Sequence, residues 1–586
     1  MMAEDTIDPA LRYRLGYQRL KTREVAIGGL LIGGNHPLLI QSMLSTPINQ
    51  EINALKEIKK LAESGCGLIR IALLSSSELD FLPKLRKWMV EEGLNIPLCA
   101  DIHFSPRLAL EACEFFEKIR INPGNYTDRP KNTRESIHPE LYDQGHQELK
   151  QAVILLAKKL KKHQRALRIG VNQGSLSTRM MERYGDTPLG MVNSALEMIQ
   201  LFEEEGFFSL VVSLKSSNPL IVQKAYRLLA QSYQNGPAPA LHLGVTEAGQ
   251  GQIGRVKSLS GIATLLLDGI GDTIRVSLTE ASYKEIDFAK KLLGQLNLSA
   301  KKQVKVPGYF ERPLSHQRVK NSRLETGNLI LGDAGALKIA TCEDRSPPFV
   351  ETEYACDFKY LIKNGNILIY DQTRPLLVVS DETAIKDFSQ VFALYPAILF
   401  KTRDPMLRLR QWYHELDGKT SPPVGVFYPE GLNDEDLGLD ASLAGALSEG
   451  LIDFLLIHSD ISPVRLENLL LLLQATRSRI ITADFIACPS CGRTLFDIEK
   501  ATEKIKDATA HLKGVKIGIM GCVVNGPGEM ADADFGYVGS GSGRIDLYLG
   551  QERVKRGLME NEAVDALVTL IKKEGKWIEK GLRQKT

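Results

Sequence analysis

The sequence predicts an α/β protein with an N-terminal TIM (β/α)8 barrel, an α/β insert domain and a C-terminal α+β domain. Three observations support this prediction. The first 300 residues alternate β-rich runs with helix-period segments, a second α/β pattern follows, and the last hundred residues carry cysteines in loops bounded by glycine or proline. The predicted domains are 1–298, 299–482 and 483–586, because 586 residues are too many for one hydrophobic core.

Eight short β-rich runs form the predicted barrel. They are LLIQSM (38–43), LIRIAL (68–73), PLCADIHF (97–104), KIRINPGN (118–125), LRIGVN (167–172), SLVVSLKSS (209–217), LHLGVTEAG (241–249) and TIRVSL (273–278). Residues 46–65 illustrate the helices between them, since Ile52 and Ile58 share one stripe and Gly65 ends the segment. Eight such units indicate a closed parallel barrel, and an open doubly wound sheet is the alternative.

The predicted insert repeats the α/β pattern without obvious chemistry. Its strands are PLLVVS (375–380), AILF (397–400), VGVFY (424–428) and DFLLIH (453–458), with helical segments between them. No residue type suited to catalysis recurs at the ends of these strands. We therefore interpret the insert as a structural spacer.

Composition excludes several classes of protein. The chain has 73 basic and 71 acidic residues, a net charge of +2 that gives no general attraction to nucleic acid or membranes. Its longest apolar runs, such as LENLLLLLQA, are too short to span a bilayer, and the N-terminus resembles neither a signal nor a transit peptide. Eight cysteines are too sparse for a disulfide scaffold. We expect a cytoplasmic enzyme with no nucleic-acid or membrane partner.

Two loops near the C-terminus carry candidate metal ligands. The run ACPSCGR contains Cys488 and Cys491, and the glycine-rich run MGCVVNGPGEM contains Cys522 and Glu529. Three thiolates suit an iron–sulfur cluster, in which one iron is left for a weaker ligand such as a carboxylate. The C-terminal domain is therefore predicted to be an iron–sulfur domain.

Two other interpretations of these cysteines remain open. A structural zinc site needs a fourth sulfur or a histidine, and the nearby His511 lies in a helix-period segment. A metal-free dithiol is the other alternative. The remaining cysteines are single residues in strand or helix patterns and are predicted to be buried and inert: Cys66, Cys99, Cys113, Cys342 and Cys356.

The predicted barrel strands carry an unusual number of charged side chains. In a barrel of this type the working groups project from the C-terminal ends of the strands. Five cations fall within or just after strands: Arg70, Arg120, Arg168, Lys215 and Arg275. Polar residues accompany them: Asp101, His103, Asn122, Asn125, Asn172, Glu247 and Ser277. Because buried cations need an anion and arginine binds phosphate oxygens bidentately, the ring predicts a diphosphate or polyphosphate site, with Glu247 as proton donor or acceptor.

One glycine motif is a false signal for a dinucleotide. GQGQIG (249–254) matches the dinucleotide-binding spacing, but the next strand ends in Arg275 and Ser277 rather than in an acidic residue. We interpret it as a barrel loop whose backbone N–H groups contribute to phosphate binding.

Motifs in both halves of the chain resemble the 4-hydroxy-3-methylbut-2-enyl diphosphate synthase family. They are ADIHF (100–104), RINPGN (120–125), RIGVNQGS (168–175), LHLGVTEAG (241–249), DGIGDTIRVSL (268–278), ACPSCGR (487–493) and GCVVNGPGE (521–529). The resemblance implies a barrel with a [4Fe–4S] domain. It also implies two-electron reduction of 2-C-methyl-D-erythritol 2,4-cyclodiphosphate, which opens the ring and expels a hydroxyl as water in the methylerythritol phosphate route to isoprenoids.

The resemblance also implies residue roles. The cluster ligands would be Cys488, Cys491, Cys522 and Glu529. The diphosphate would be held by Arg70, Arg120, Arg168, Lys215, Arg275 and Ser277, assisted by Asn122 and Asn172. Glu247 would be the acid–base residue, and Asn525 would follow the cluster into the site. No flavin or nicotinamide motif is visible, so a separate carrier such as ferredoxin or flavodoxin is expected to supply electrons.

The insert departs from the compact members of the family. Long members carry such a domain, and its pattern is compatible with a second, degenerate barrel. A spacer of this size lets one chain close on itself, so we expect a monomer, with a dimer as the alternative. Residues 126–147 are either a lid or a solvated loop. The rival functions are a non-redox phosphate-binding barrel with a structural zinc module, and a metal-independent enzyme of the pterin-barrel type.

Overall fold

The computed structural model describes residues 10–127, 139–233, 236–298, 309–314, 318–326, 329–332, 337–342, 358–363, 366–369, 376–381, 395–417, 419–428, 433–458, 461–489, 494–523, 526–530 and 532–579. Half of the segment considered as a lid, residues 128–138, lies outside them, and helix begins at Pro139. In the described ranges, no helix combines the length and the hydropathy needed to cross a bilayer.

The N-terminal half is a closed barrel of eight parallel strands, as predicted, rather than an open sheet. Three short strands precede it: β1 (Ala10–Arg14), β2 (Val25–Ile27) and β3 (Leu30–Ile32). The barrel strands are β4 (Leu39–Met43), β5 (Leu68–Ala72), β6 (Leu98–Asp101), β7 (Lys118–Ile121), β8 (Ala166–Asn172), β9 (Leu210–Lys215), β10 (Ala240–Leu243) and β11 (Thr273–Ile274). Six of them fall inside a predicted run, and β8 and β10 each begin one residue before theirs.

Helices surround the barrel, and several of them begin at side-chain caps. They are α1 (Glu51–Glu63), α2 (Leu82–Glu91), α3 (Pro106–Ala112), α4 (Pro123–Tyr126), α5 (Pro139–His163), α6 (Thr178–Tyr184), α7 (Pro188–Glu204), α8 (Pro219–Gln231), α9 (Gly251–Ser258), α10 (Thr264–Leu267) and α11 (Ser282–Leu296). Ser105, Thr187 and Asn218 each cap a helix that has proline in its first turn. In α1, Ile58 is buried as predicted, whereas Ile52 is 64% exposed.

A hairpin closes the bottom of the barrel. Strands β2 and β3 pair antiparallel and pack Val25, Ile27 and Ile32 against apolar residues of the barrel strands, including Leu68 and Val211. The hairpin covers this end of the barrel with apolar side chains. The functional residues are therefore expected at the opposite end, where the strands terminate.

The insert forms an open seven-stranded sheet within the described residues, not a second closed barrel. The linking strands are β12 (Tyr309–Pro313), β13 (Leu324–Thr326) and β14 (Leu329–Leu331), and the sheet contains β15 (Lys338–Cys342), β16 (Phe358–Lys363), β17 (Asn366–Ile369), β18 (Leu377–Ser380), β19 (Ile398–Lys401), β20 (Val424–Tyr428) and β21 (Phe454–Ile457). The sheet order is β17-β16-β15-β21-β20-β19-β18. The four predicted strands are confirmed, and β12 to β17 were missed.

Three helices of the insert pack against the barrel. They are α12 (Pro405–Glu415), α13 (Leu437–Ser448) and α14 (Pro463–Ala475). Ten of the twelve residues of α13 are buried, as expected for a helix enclosed between layers. At this junction Arg410 of the insert binds Asp268 of the barrel at 2.6 Å, and Arg227 of the barrel binds Glu449 of the insert at 2.9 Å. The insert and the barrel therefore share one hydrophobic core and one buried ion network.

The C-terminal region is a smaller α+β unit with its own core. Its strands are β22 (Asp484–Ala487), β23 (Lys516–Met520), β24 (Phe535–Gly541), β25 (Arg544–Leu549) and β26 (Glu552–Met559), paired in that order. Its helices are α15 (Ile498–Thr509), α16 (Gly526–Glu529) and α17 (Glu560–Lys573). The first three strands are parallel, and the C-terminal ends of β22 and β23 lead into the two cysteine loops.

This unit docks on the barrel of its own chain. A bridge joins Ala248 to Ala487, and Lys257 Nζ donates to Asp484 Oδ1 at 2.9 Å and to the carbonyl oxygen of Phe485 at 2.8 Å. Because Lys257 and Asp484 are both buried, this pair holds β22 in a defined position over the barrel.

Candidate active site

A cavity lies between the C-terminal ends of the barrel strands and the cysteine loops. Its volume is about 730 Å³, counting the space at its mouth. The predicted residues that line it are Arg70, Asp101, His103, Arg120, Arg168, Asn172, Lys215, Glu247, Arg275, Ser277, Cys488, Cys522 and Glu529. The structure thus brings all five predicted cations together with two of the predicted cysteines.

The cations of the cavity are crowded and incompletely neutralised. Asp101 accepts from Arg120 at 3.0 Å, and Glu285 accepts from Arg275 at 3.2 Å. Burial lowers the pKa of Lys215 well below its ordinary value, and the charges of neighbouring arginines lower it further. Since burial and like charge both disfavour the ammonium form, an anion in this cavity would be stabilised strongly.

We expect inorganic pyrophosphate to bind this cavity with proton uptake. The anion should raise the pKa of Lys215, so uptake should appear between the lowered pKa of the free amine and about 10.4, the usual lysine value. In Lys215→Met, affinity should fall roughly 10- to 100-fold, the loss of one charged hydrogen bond. Calorimetry in buffers of different ionisation enthalpy measures both quantities.

Lys290→Met is the matched control, because Lys290 is exposed on the outer face of α11. Its pyrophosphate affinity and proton uptake should equal those of the wild type. The denaturation midpoint of Lys215→Met should not fall, since the change removes a buried and repelled cation. Binding of equal strength in Lys215→Met would contradict the assignment of this cavity to anions.

Two glutamates meet at the edge of the cavity. Asn172 Nδ2 donates to Glu529 Oε1 at 2.7 Å, so the barrel itself holds this carboxylate of the C-terminal unit. Burial raises the pKa of Glu247 well above its ordinary value, and the carboxylate of Glu529 raises it further. Glu247 also has a φ of +48°, a left-handed conformation that non-glycine residues seldom adopt and that is found most often at functional sites.

Several oxygens in this region have no hydrogen-bond partner within the described residues. They are Glu247 Oε2, Glu529 Oε2 and Ser277 Oγ, all buried. Buried polar atoms are normally satisfied, so unpartnered ones in a cavity indicate a place for a ligand or water. Glu529 belongs to the second cysteine loop, and the carbonyl oxygen of Glu247 accepts from the backbone N–H of Ala487 beside the first, so these two carboxyls mark the end of the cavity nearest the cysteine loops.

The cysteine loops fit a metal cluster. Cys488 and Cys522 both line the cavity, and the backbone N–H of Gly521 donates to Cys488 Sγ at 3.0 Å. Backbone N–H groups of this kind stabilise a ligating thiolate. Cys491 and Asn525 lie outside the described residues, and within the described ranges no three potential ligands form a metal-binding group. His511 lies elsewhere, where its ring contacts Trp577 and its Nε2 contacts the carbonyl oxygen of Ile578 at 2.8 Å.

Two sequence interpretations gain structural detail. Asn122 does not line the cavity; its Oδ1 accepts from the backbone N–H of Gly124 at 3.1 Å and caps α4, and its role in substrate binding stays a prediction. In the glycine loop GQGQIG, Glu280 accepts from the backbone N–H of Gly251 at 2.9 Å, at the start of α9. A carboxylate of the chain itself binds that N–H group, and phosphate binding by the other N–H groups of the loop stays a prediction.

Sequence reasoning missed a polar layer beneath the cations. Lys118 is fully buried, donates to Gln41 Oε1 at 3.3 Å, and has a pKa lowered by burial to about 8. His242 also lies in the barrel interior, where burial and then Lys215 lower its pKa well below the ordinary value. The sequence contained a signal for Lys118, because residues two apart on a strand, such as Lys118 and Arg120, face the same side.

The prediction for the other cysteines is confirmed where they are described. Cys66, Cys99 and Cys113 are free and buried. Burial raises the pKa of Cys66 and of Cys113 to about 12, so both stay as inert thiols. Cys356 and the side chain of Cys342 lie outside the described residues.

Comparison with known proteins identifies the family. Residues 22–290 match the model of the GcpE TIM-barrel domain, and residues 484–573 match that of the GcpE protein C-terminal domain. The 4-hydroxy-3-methylbut-2-en-1-yl diphosphate synthase (flavodoxin) of Leptospira interrogans is 36% identical over 96% of this chain and 98% of the relative. That of Akkermansia muciniphila is 38% identical over 96% and 98%. The chloroplastic (ferredoxin) enzyme of Oryza sativa subsp. japonica is 35% identical over 96% and 88%. The chain belongs to the 4-hydroxy-3-methylbut-2-en-1-yl diphosphate synthase family.

Proposed function

We propose that this enzyme converts 2-C-methyl-D-erythritol 2,4-cyclodiphosphate to 4-hydroxy-3-methylbut-2-enyl diphosphate by reductive ring opening and dehydration, in the methylerythritol phosphate pathway. The observation that carries the proposal is that the cation ring and the cysteine loops open into one cavity. Two electrons and one proton are consumed. The bond from carbon to a ring phosphate oxygen breaks, the C3 hydroxyl leaves as water, and a carbon–carbon double bond forms.

The cation ring is suited to the diphosphate. We assign its binding to Arg70, Arg120, Arg168, Lys215, Arg275 and Ser277, with Asp101, His103, Asn122 and Asn172 assisting. Ring opening adds a negative charge to the diphosphate. Preorganised cations that are already desolvated stabilise that developing charge better than water does.

The cysteine loops are suited to a [4Fe–4S] cluster. We assign its ligands to Cys488, Cys491, Cys522 and Glu529, supported by the two thiols in the cavity, the Gly521 N–H bond to sulfur and the unpartnered oxygen of Glu529. When bound, the cluster would supply electrons and a Lewis-acidic iron beside the substrate. Asn172 orients the Glu529 carboxylate, and Asn525 stays a proposed member of the site.

Glu247 is suited to act as the acid. Its raised pKa favours the protonated form, and its unpartnered oxygen is buried at the end of the cavity nearest the cysteine loops. A protonated carboxyl there would donate its proton to the departing hydroxyl, which leaves as water instead of hydroxide. The remaining carboxylate is then reprotonated from solvent.

Partners and assembly follow from the same geometry. The relatives are named for flavodoxin or ferredoxin, and we infer that a carrier of this type delivers the electrons here. We propose domains at 1–298, 299–482 and 483–586, and a monomer in which one chain supplies both halves of the site. A cytoplasmic location is proposed because free thiols for a cluster need a reducing compartment.

Anaerobic metal analysis tests the cluster. We expect a brown protein with about four iron and four sulfide per chain, whereas Cys522→Ala should lose most of the iron and all turnover with reduced dye. Cys113→Ala is the control, because Cys113 is buried in the barrel and should leave iron content unchanged. One zinc and no colour would instead establish the non-redox phosphate-binding barrel.

A further inference from the structure

A second opening reaches the two glutamates at the edge of the main cavity. It runs between the barrel and the C-terminal unit and is lined by Gln173, Asp186, Ser217, Glu247, Glu529 and Asp532, among others. Its outer residue Asp532 is exposed, Asp186 is partly buried, and Glu247 and Glu529 are buried at its inner end. Glu247 and Glu529 also line the main cavity, so both openings meet at these two carboxyls.

Asp186 is held in the wall of this opening. It lies in the turn between α6 and α7, where its Oδ1 accepts from the backbone N–H of Gly174 at 3.0 Å. Gly174 has a φ of +78°, and its backbone touches that of Gly528, the residue before Glu529. The turn that carries Asp186 is therefore fixed to the loop that carries the proposed cluster ligand.

The two openings have opposite electrostatic character. The main cavity is lined by five cations, which repel a hydrated proton. The titratable groups lining the second opening are Asp186, Glu247, Glu529 and Asp532, and the cation bound to Asp532 at its mouth is Lys516, at 3.0 Å. Burial raises the pKa of Asp186 above its ordinary value, and the negative charge of Asp532 raises this pKa further. The hydrogen bond from the backbone N–H of Gly174 acts in the opposite direction.

We propose that the second opening is the proton inlet and water outlet of the active site, with Asp186 as a relay that passes protons to its inner end. The proposal rests on the proposed function, which consumes one proton and releases one water per turnover. Each cycle, a proton enters through Asp186 and a chain of water molecules and replaces the one that the reaction consumes. The released water leaves by the same opening, while the bound diphosphate fills the main cavity.

The test compares Asp186→Asn with the wild type in anaerobic turnover of the cyclodiphosphate with a reduced dye. Asparagine keeps the acceptor for the Gly174 N–H but cannot carry a proton. We expect kcat to fall roughly tenfold or more, with KM unchanged and a larger solvent deuterium isotope effect on kcat. Asp186→Glu should restore most of the rate. Asp287→Asn, on the exposed face of α11, is the matched control and should behave as the wild type.

Two further measurements separate a relay from a structural role. Iron content and the pyrophosphate affinity of the cluster-free protein should be the same in Asp186→Asn and the wild type. Infrared difference spectra during a pH titration should show a protonated-carboxyl band that Asp186→Asn lacks. The proposed relay is contradicted if Asp186→Asn turns over at the wild-type rate, or if this variant loses iron or pyrophosphate binding together with activity. A wild-type enzyme that does not convert the cyclodiphosphate overturns the proposed function, and the relay with it.

Discussion

Replacing Glu247 by glutamine is expected to lower kcat at least about 100-fold, the usual contribution of a general acid. Glutamine has nearly the same shape, so the affinity of the cluster-free protein for the cyclodiphosphate should not change. The physical reason is that the departing hydroxyl needs a proton at one point of the cavity, and the protonated Glu247 carboxyl is placed there. Anaerobic steady-state kinetics measures the rate, and calorimetry measures binding.

Two controls make this result specific. Glu63→Gln changes an exposed glutamate on α1 and should leave the rate unchanged. Iron content must also match the wild type, because Glu247 lies against Glu529 and a loss of cluster would imitate a loss of acid catalysis. Wild-type turnover in a fully loaded Glu247→Gln enzyme would remove Glu247 from the mechanism.

Replacing Arg410 by methionine is expected to destabilise the protein by about 3–5 kcal/mol, the cost of leaving buried charges unpaired. Arg410 binds Glu449 through Nε at 2.8 Å and Asp268 through Nη1 at 2.6 Å. Arg227 also binds both carboxylates, so two cations and two anions balance. Loss of Arg410 leaves one cation for two buried anions at the junction of barrel and insert.

Urea denaturation monitored by fluorescence checks this expectation, because Trp412 is buried in the same helix as Arg410. The midpoint should fall markedly, and a protease should cut between barrel and insert sooner than in the wild type. Arg403→Met, which removes an exposed ion pair with Asp436 in the same domain, should cost at most about 1 kcal/mol. Equal effects of the two changes would show that the buried network contributes nothing specific.

The barrel was predictable because its signal is local. Parallel barrel strands are buried on both faces, so they read as short apolar runs, and polar residues that follow them mark the functional end. Arg120 and Lys215 were recognisable for this reason. Lys118 was missed although it shares a strand face with Arg120, because working groups were expected towards the C-terminal ends of the strands and Lys118 is the first residue of β7.

The insert was less predictable because its first strands carry a weak signal. Strands β13 and β14 have three residues each, which is below the length at which a periodic pattern can be detected. Asn122 and the GQGQIG loop make contacts that the sequence does not reveal. The Asn122 side chain caps its own helix, and Glu280, from the end of another strand–helix unit, accepts from the Gly251 N–H.

The sequence by itself determined the eight barrel strands, the cations at their ends, and the cysteine motifs with Glu529. Only the tertiary structure decided which of these residues come into contact. Asn172 binds Glu529 across 357 residues of chain, and Arg410 binds Asp268 across 142. The periodic pattern of apolar residues describes the burial of each helix or strand separately, because it arises from residues that are close together along one element. Docking between elements depends on the shape and charge of two completed surfaces, and that information exists only once both have folded.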